Sequence, residues 1–127
     1  MTEVEQYEFD RQGFIVIKKM LTDREASALS MSVDALEHHA LRHVDKLPQK
    51  RSAWGPTYHV NAEKGYHVQG SNALGETLII EDFWNADPVF DLLSGHSRTM
   101  DYVRTVVRAR PTINNSEIRI RYPGNAS

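Results

Sequence analysis

The fold is decided by the stretch Glu117-Ile118-Arg119-Ile120-Arg121-Tyr122-Pro123-Gly124, in which polar and apolar side chains alternate up to a Pro-Gly turn. Alternation with a period of two predicts a β-strand with one dry face, formed by Ile118 and Ile120. The other face carries Glu117, Arg119 and Arg121. Such a strand cannot bury its dry face or pair its backbone alone. We therefore expect it either to pair with Phe14–Ile17 or, as favoured here, to belong to a sheet whose remaining strands lie beyond residue 127.

Two capped helices are predicted near the N-terminus. Thr2 with Glu5, and Thr22 with Glu25, have the spacing of capping boxes, and Gly13 supplies a left-handed stop. These signals predict helices over 3–12 and about 23–43, the second with an apolar stripe at Leu29, Val33, Leu36 and Ala40. Between the two helices, the apolar run Phe14–Ile17 predicts a strand buried on both faces.

The middle of the chain shows no clear periodicity. Residues 45–75 contain repeated glycines and prolines, so we predict an irregular loop region of the kind that serves as a lid. Leu78-Ile79-Ile80 fits either a short strand or the start of a helix. Asp87-Pro88 predicts a helix start that runs to Gly95, and Ser97 is predicted to cap the next helix.

Composition predicts one soluble globular domain spanning residues 1–127. The chain has no cysteine, which excludes disulfides, thiolate metal sites and a cysteine nucleophile. No apolar run approaches the roughly 20 residues of a membrane helix, and the acidic N-terminus is unlike a secretion signal. We therefore predict a cytoplasmic location and no membrane partner.

Charge is unevenly placed along the chain. Residues 1–37 carry a net charge of −4, and residues 96–127 carry +4 from six arginines against Asp101 and Glu117. The favoured interpretation is that the two ends of one domain face each other or lie in water. The alternative is a basic surface that binds an anionic ligand. Since the arginines are not interleaved with stacking aromatics, nucleic acid is not predicted as a partner.

Segments along the whole chain resemble phytanoyl-CoA dioxygenase-like proteins. The family's opening helix, Gly-aromatic pair, buried strand and capped helix are similar to the pattern formed by Phe9, Gly13, Phe14, Val16, Ile17, Leu21, Thr22, Glu25 and Leu29. Asp87-Pro88 with Leu92-Leu93 resembles the family's next helical pair. Residues 116–124 resemble the strand and Pro-Gly turn that precede its metal-binding His-x-Asp. The resemblance implies an α+β fold, with N-terminal helices and the first strands of a double-stranded β-helix (jelly-roll) oxygenase whose barrel is incomplete in this chain.

The chemistry implied by the resemblance is oxidation of a small organic substrate in the full-length protein. Fe(II), held by two histidines and a carboxylate, would work with 2-oxoglutarate and dioxygen to hydroxylate that substrate. The resemblance places the iron ligands beyond residue 127. We therefore expect this chain to supply no catalytic or iron-binding residue, to bind no cofactor by itself and to be inactive alone.

The resemblance also implies which residues of this chain approach the cofactor. The inner face of the barrel's major sheet lines the cofactor pocket, so Glu117, Arg119 and Arg121 are the cofactor-binding candidates. An arginine there would pair with a carboxylate of 2-oxoglutarate or substrate through two hydrogen bonds. The alternative is a solvated strand face on which Glu117 pairs with an arginine of a neighbouring strand.

Histidines elsewhere offer weaker candidates for a metal site. His43-Val44-Asp45 is a literal His-x-Asp, but it lies at the end of a predicted helix, where a histidine favourably meets the helix dipole. His39 and His43 have a spacing that can hold zinc, although a polar helix flank is the favoured interpretation. A small metal protein that uses these two and a loop histidine therefore stays a minor alternative. Tyr58-His59 and Tyr66-His67 fit either a substrate mouth or aromatics that tether a loop.

A function from another class also stays open. The chain fits a small non-catalytic α/β module that binds a partner through its exposed terminal strand, by adding a strand to the sheet edge. The same exposed strand predicts possible self-association.

Overall fold

The computed structural model describes residues 1–125, which form an α+β fold. Three helices and a short fourth one accompany a five-stranded antiparallel open sheet. The helices are α1 (Glu3–Gln12), α2 (Asp23–Leu41), the single-turn α3 (Asp91–Gly95) and α4 (Ser97–Val107), with 3₁₀ turns at Phe83–Ala86 and Pro88–Phe90. The strands are β1 (Gln49–Arg51), β2 (Thr57–Asn61), β3 (Tyr66–Gly70), β4 (Thr77–Glu81) and β5 (Glu117–Arg121). They lie side by side in chain order.

Both N-terminal helices begin at the predicted capping boxes. At the start of α2, the Glu25 amide donates to Thr22 Oγ1 (3.2 Å) and the Thr22 amide donates to Glu25 Oε2 (2.7 Å). These hydrogen bonds favour the ionised carboxylate, so the backbone of Thr22 lowers the pKa of Glu25. Thr2 and Glu5 make the same pair at the start of α1. The predicted helix over 3–12 is confirmed, and the second helix ends at Leu41, two residues before the predicted end.

Phe14–Ile17 is not a strand, and that prediction was wrong. The segment is an extended connection between α1 and α2, in which Phe14 is 59% and Val16 is 72% exposed. The five strands pair with their neighbours in chain order, and the partner of β5 is β4 rather than this segment. Ile15 and Ile17 are half-buried, so the run contributes packing on one side only.

The irregular region predicted over residues 45–75 was also wrong, because it contains β1, β2 and β3. The glycines that suggest a loop lie at the turns between these strands. Gly70 ends β3 with φ 89°, and a Cβ there would lie 1.9 Å from the Thr77 carbonyl oxygen. The close approach of two backbones at the β3–β4 connection therefore requires glycine.

The terminal strand finds its partner inside the chain. β5 pairs antiparallel with β4, with Ile118 opposite Ile80 and Ile120 opposite Leu78. Leu78–Ile80 is thus a strand, which settles the alternative that the sequence left open. Pairing of β5 with Phe14–Ile17 was therefore a wrong expectation, and the dry face of β5 is covered without strands from beyond residue 127. The opposite edge of β5 pairs with no strand among residues 1–125.

The core lies between α2 and one face of the sheet. Its buried apolar side chains come from α2, from β3 and β4 and from the 3₁₀ turns: Leu29, Leu36, Ala40, Tyr66, Val68, Leu78, Ile80, Phe83 and Phe90. Ile118 and Ile120 pack against this cluster. A hydrogen bond of 2.5 Å from Tyr122 Oη to Glu37 Oε1 ties the end of β5 to α2.

The helices after β4 differ in two details from the prediction. Asp87 caps as expected, since its Oδ1 accepts from the Val89 amide (2.9 Å), but the first turn is 3₁₀ before α3 begins. Ser97 does not cap α4. It is the first helical residue, and His96 occupies the N-cap position without a side-chain hydrogen bond to the helix.

The two oppositely charged ends of the chain meet, as the favoured interpretation of the charge asymmetry predicts. Tyr102 Oη of α4 donates to Glu5 Oε1 of α1 (2.7 Å), and Arg98 Nη1 donates to the Lys19 carbonyl (2.8 Å). Among residues 1–125, no helix combines the length and the apolar character that crossing a bilayer requires.

Candidate functional site

One face of the sheet carries none of the core residues. We call it the open face. Its side chains are half-buried or exposed, and it consists of Lys50, Tyr58, Val60, His67, Gln69, Thr77, Ile79, Glu81, Glu117, Arg119 and Arg121. Successive residues of a strand point to opposite faces, so α2 and the core lie against the other face alone. We call that one the covered face.

The predicted site residues lie together on the open face. Glu117, Arg119 and Arg121 are exposed, while Ile118 and Ile120 between them are half-buried on the covered face. The alternation read from the sequence is therefore confirmed. Across β4, Arg119 lies opposite Ile79 and Arg121 opposite Thr77.

The two arginines differ in their partners. Arg119 Nε lies 2.9 Å from Glu117 Oε1 and Arg119 Nη2 lies 3.1 Å from Glu117 Oε2, so one carboxylate holds the guanidinium with two bonds. Arg121 makes no ion pair within residues 1–125. The Glu117 carboxylate is thus paired within its own strand, and Arg121 keeps its full hydrogen-bonding capacity for an external carboxylate.

A second polar group lies at the other end of the open face. His67 Nδ1 lies 3.4 Å from Asp82 Oδ2, and the His67 ring lies 5.3 Å from the ring of Tyr58. Asp82 follows β4 with φ 57°, a left-handed conformation that aspartate tolerates better than most residues. The pair places a titratable imidazole in the row that also contains Glu81 and Glu117.

The backbone of β5 offers hydrogen-bonding groups at its outer edge. The Asp82 amide donates to the Ser116 carbonyl (3.1 Å) and the Tyr122 amide to the Glu76 carbonyl (3.2 Å). In an antiparallel ladder, hydrogen-bonded and non-hydrogen-bonded residue pairs alternate, so Glu117, Arg119 and Arg121 belong to the non-hydrogen-bonded pairs with β4. The amides and carbonyls of Glu117, Arg119 and Arg121 therefore point away from β4. The same three residues present their side chains to the open face and their backbone to the open edge.

The histidines weighed as metal ligands lie on the covered side. His39 and His43 stack with ring centroids 4.2 Å apart, and His59 lies 6.0 Å from His43. Each ring has a hydrogen bond through Nδ1: His39 with Tyr66 Oη (2.7 Å), His43 with the His39 carbonyl (2.7 Å) and His59 with the Lys46 carbonyl (2.8 Å). Because the His39 and His43 rings are stacked nearly in parallel, their nitrogens point side by side and not to one shared metal position. In the part of the chain from residue 1 to residue 125, no three side chains of metal-ligating type are grouped to hold an ion.

Two open-face residues were not identified as such from the sequence. Tyr58 and His67 belong to β2 and β3, and their neighbours His59 and Tyr66 are buried on the covered face. The signal was available, because Thr57–Asn61 and Tyr66–Gly70 flank a turn, with Gly65 bonded back to Asn61 (2.8 Å). Reading this stretch as a hairpin separates the two Tyr-His pairs into opposite faces.

Comparisons of the chain with protein-family models, with curated proteins and with solved structures find no match. The assignment of a function therefore depends on the geometry of the open face and on the resemblance read from the sequence.

Proposed function

We propose that this chain is the N-terminal part of a cytoplasmic Fe(II)/2-oxoglutarate-dependent oxygenase of the phytanoyl-CoA dioxygenase type, which hydroxylates a small organic substrate. In this proposal, α1, α2 and the five strands are the helical layer and the first strands of a jelly-roll barrel. The observation that carries it is the contrast between the two faces of the sheet. Helices lie on the Ile118 and Ile120 side and charged groups lie on the open face, a contrast that supports a sheet whose inner face lines a cofactor pocket.

Arg121 is the residue proposed to bind the cofactor. A guanidinium recognises a carboxylate best through two parallel hydrogen bonds, and 2-oxoglutarate has a carboxylate at each end. In Arg119, the two N–H groups that would make such bonds already contact the Glu117 carboxylate. Glu117 and Arg119 are then positioning residues. Because Glu117 holds the Arg119 guanidinium, Arg119 does not compete with Arg121 for the carboxylate of the cofactor.

The iron site does not fit the residues that the structure describes. No group of three ligands exists within residues 1–125, and His43 of the His-x-Asp sequence bonds to the carbonyl of its own helix. The proposal therefore leaves iron, and every chemical step that iron would supply, to residues outside this part of the chain. What the chain contributes is the cofactor-facing side of the sheet.

The proposal is tested on the transcript and on the protein made from its complete reading frame. We expect an in-frame continuation after codon 127, with a His-x-Asp within a few residues. We expect the complete product to convert 2-oxoglutarate to succinate when Fe(II) is present. A stop codon directly after Ser127 in the native transcript, or a complete product that binds no Fe(II), would overturn the proposal.

A second candidate function is favoured by the outer edge of β5. Its outward amides and carbonyls are available for an added strand, from a partner or from a second copy of this chain. Replacement of Arg119 by proline removes one outward N–H without removing a bond to β4. If the chain is a binding module, sedimentation velocity of the 127-residue protein shows concentration-dependent association or a bound partner, which Arg119→Pro abolishes and Arg119→Ala keeps.

A further inference from the structure

A small cleft on the covered side of the molecule collects positive charge. It has a volume of about 130 Å³ and lies between the C-terminal half of α2, the β2–β3 turn and the junction of the two 3₁₀ turns. That volume is well above the roughly 10–15 Å³ that one water needs by this measure, so a small ion of several atoms fits. Its charged and polar lining consists of Ser32, His39, Arg42, Lys64 and Asp87.

The two cations of this cleft share it with one carboxylate, that of Asp87, but form no ion pair with it. Neither Arg42 nor Lys64 makes an ion pair within residues 1–125. The Lys64 ammonium donates only a long hydrogen bond of 3.4 Å to the Ala86 carbonyl, so two of its three N–H groups remain available. Two cations from separate segments at one cleft repel each other unless an anion lies between them.

The one carboxylate in the cleft is already used by the fold. Asp87 Oδ2 accepts from the Ser32 hydroxyl (2.9 Å), and its Oδ1 accepts from the Val89 amide (2.9 Å). Both oxygens are thereby engaged in fixing the junction of the 3₁₀ turns to α2. Glu63, beside Lys64, is exposed and does not line the cleft, but its charge reaches His39 and opposes the lowering of the pKa of that ring.

A histidine adds a third donor. Burial, together with the charges of His43, Lys64 and Arg42, lowers the pKa of His39, which favours the neutral ring at neutral pH. Burial raises the pKa of Tyr66 to about 12, so its hydroxyl keeps its proton. When that hydroxyl donates to His39 Nδ1 across the 2.7 Å contact, the imidazole carries its hydrogen on Nε2.

We propose that this cleft binds a small oxyanion, a phosphate or carboxylate group held between Arg42 and Lys64 with His39 as an additional donor. Charge-assisted hydrogen bonds from a guanidinium and an ammonium are the usual means by which proteins hold such groups. The cleft is separate from the open face, because α2 and its side chains lie on the covered side of the sheet. The ligand is thus distinct from the cofactor proposed above.

The test is a titration of the 127-residue protein with inorganic phosphate, followed by amide chemical shifts at constant ionic strength. We expect saturable shifts at residues around Arg42 and Lys64. Arg42→Gln and Lys64→Gln should each weaken binding about tenfold, as loss of one charge-assisted contact does, and the double variant should bind none. A rise in the pKa of His39 on binding, read from its ring proton, is an independent sign that the anion lies beside it.

Matched controls separate a site from general attraction to positive charge. Arg51→Gln and Lys50→Gln remove exposed cations on β1 and should leave the affinity unchanged. A parallel titration with acetate identifies the ligand group, since a phosphate site favours the more highly charged anion and a carboxylate site favours acetate. Absence of saturable binding of either anion, or equal weakening by the control variants, would contradict the proposal.

Discussion

The two faces of the sheet are built from the same five strands and have opposite characters. The covered face holds Tyr66, Val68, Leu78 and Ile80, all with at most 1% of their surface exposed. The open face holds the intervening residues of the same strands, among them His67, Ile79 and Glu81, and none of these is buried. Neighbouring residues therefore differ completely in role: one secures the fold, and the next is available for binding.

The contrast between the two faces follows from the position of a single helix, α2. α2 supplies Leu29, Leu36 and Ala40 to the core, and it contacts the sheet only through the covered face. The open face is free to carry charges because the fold does not need its side chains. The following variants test this division, in order of decreasing expected effect.

Adjacent isoleucines on β4 give the largest contrast. Ile80 is fully buried, whereas Ile79 is half-buried on the open face. Ile80→Ala should lower the free energy of unfolding by about 2–5 kcal/mol, through lost transfer energy and a cavity. Ile79→Ala should cost clearly less, because its site is open to solvent and leaves no cavity. Urea unfolding of both variants measures the difference, and equal losses would show that the open face is packed against something.

The hydrogen bond between Tyr122 and Glu37 joins the end of β5 to α2. Tyr122→Phe should lower stability by about 1.5–3 kcal/mol, the range for bonds to charged groups. Tyr7→Phe is the matched control, since Tyr7 is 65% exposed. Stability unchanged in Tyr122→Phe would mean that the bond is not formed in solution.

The same tyrosine gives a pH dependence with a defined sign. Burial, and then the bond to Glu37, raise the pKa of Tyr122 to about 12 from the ordinary 10.0. A raised pKa means that the folded protein holds its proton more tightly, so stability falls as the pH rises from about 10 to about 12. Tyr66 adds a loss in the same window. Tyr122→Phe should therefore reduce the slope of unfolding free energy against pH without removing it.

Capping of the helix that covers the sheet should have a smaller effect. Thr22→Ala removes the side-chain acceptor of the α2 cap and should cost about 1 kcal/mol. Ser97→Ala, at a position predicted from the sequence to cap α4 but making no such bond, should not lower stability, since no cap is lost and alanine is the better helix former. A loss in Ser97→Ala equal to that in Thr22→Ala would show that the serine caps its helix after all. Thermal unfolding under identical conditions compares the two.

The ion pair on the open face should matter least for stability. The side chains of Arg119 and Glu117 are 55% and 33% exposed, and ion pairs open to solvent contribute about 0.2–1 kcal/mol. A double-mutant cycle with Glu117→Gln and Arg119→Gln should give a coupling in this range that shrinks as salt is added. A coupling that is larger and insensitive to salt would indicate that the open face is shielded from solvent.

The sequence predicted those parts that depend on local signals. The capping boxes at Thr2 and Thr22 and the alternation around Ile118 and Ile120 all appear in the structure, because each depends on residues close in the chain. The hairpin over residues 57–70 was mistaken for a loop, since its glycines and the prolines that precede it conceal two strands of only five residues each.

Other features depended on pairing that no local pattern reveals. Phe14–Ile17 has the composition of a buried strand, but whether it becomes one depends on which distant segment pairs with it, and β5 pairs with β4 instead. The cleft at Arg42 and Lys64 was equally invisible, because 21 intervening residues separate two side chains that the β2–β3 turn brings beside α2. The charge excess of residues 96–127 pointed to other arginines.

The most direct test of the division between the faces is Arg121→Ala in the protein made from the complete reading frame, with Arg51→Ala as the control. We predict that Arg121→Ala raises the KM for 2-oxoglutarate at least about tenfold, as loss of a two-bond carboxylate contact does, while the free energy of unfolding changes by less than about 0.5 kcal/mol. Unchanged kinetics, or a loss of stability that accounts for the loss of activity, would contradict this prediction.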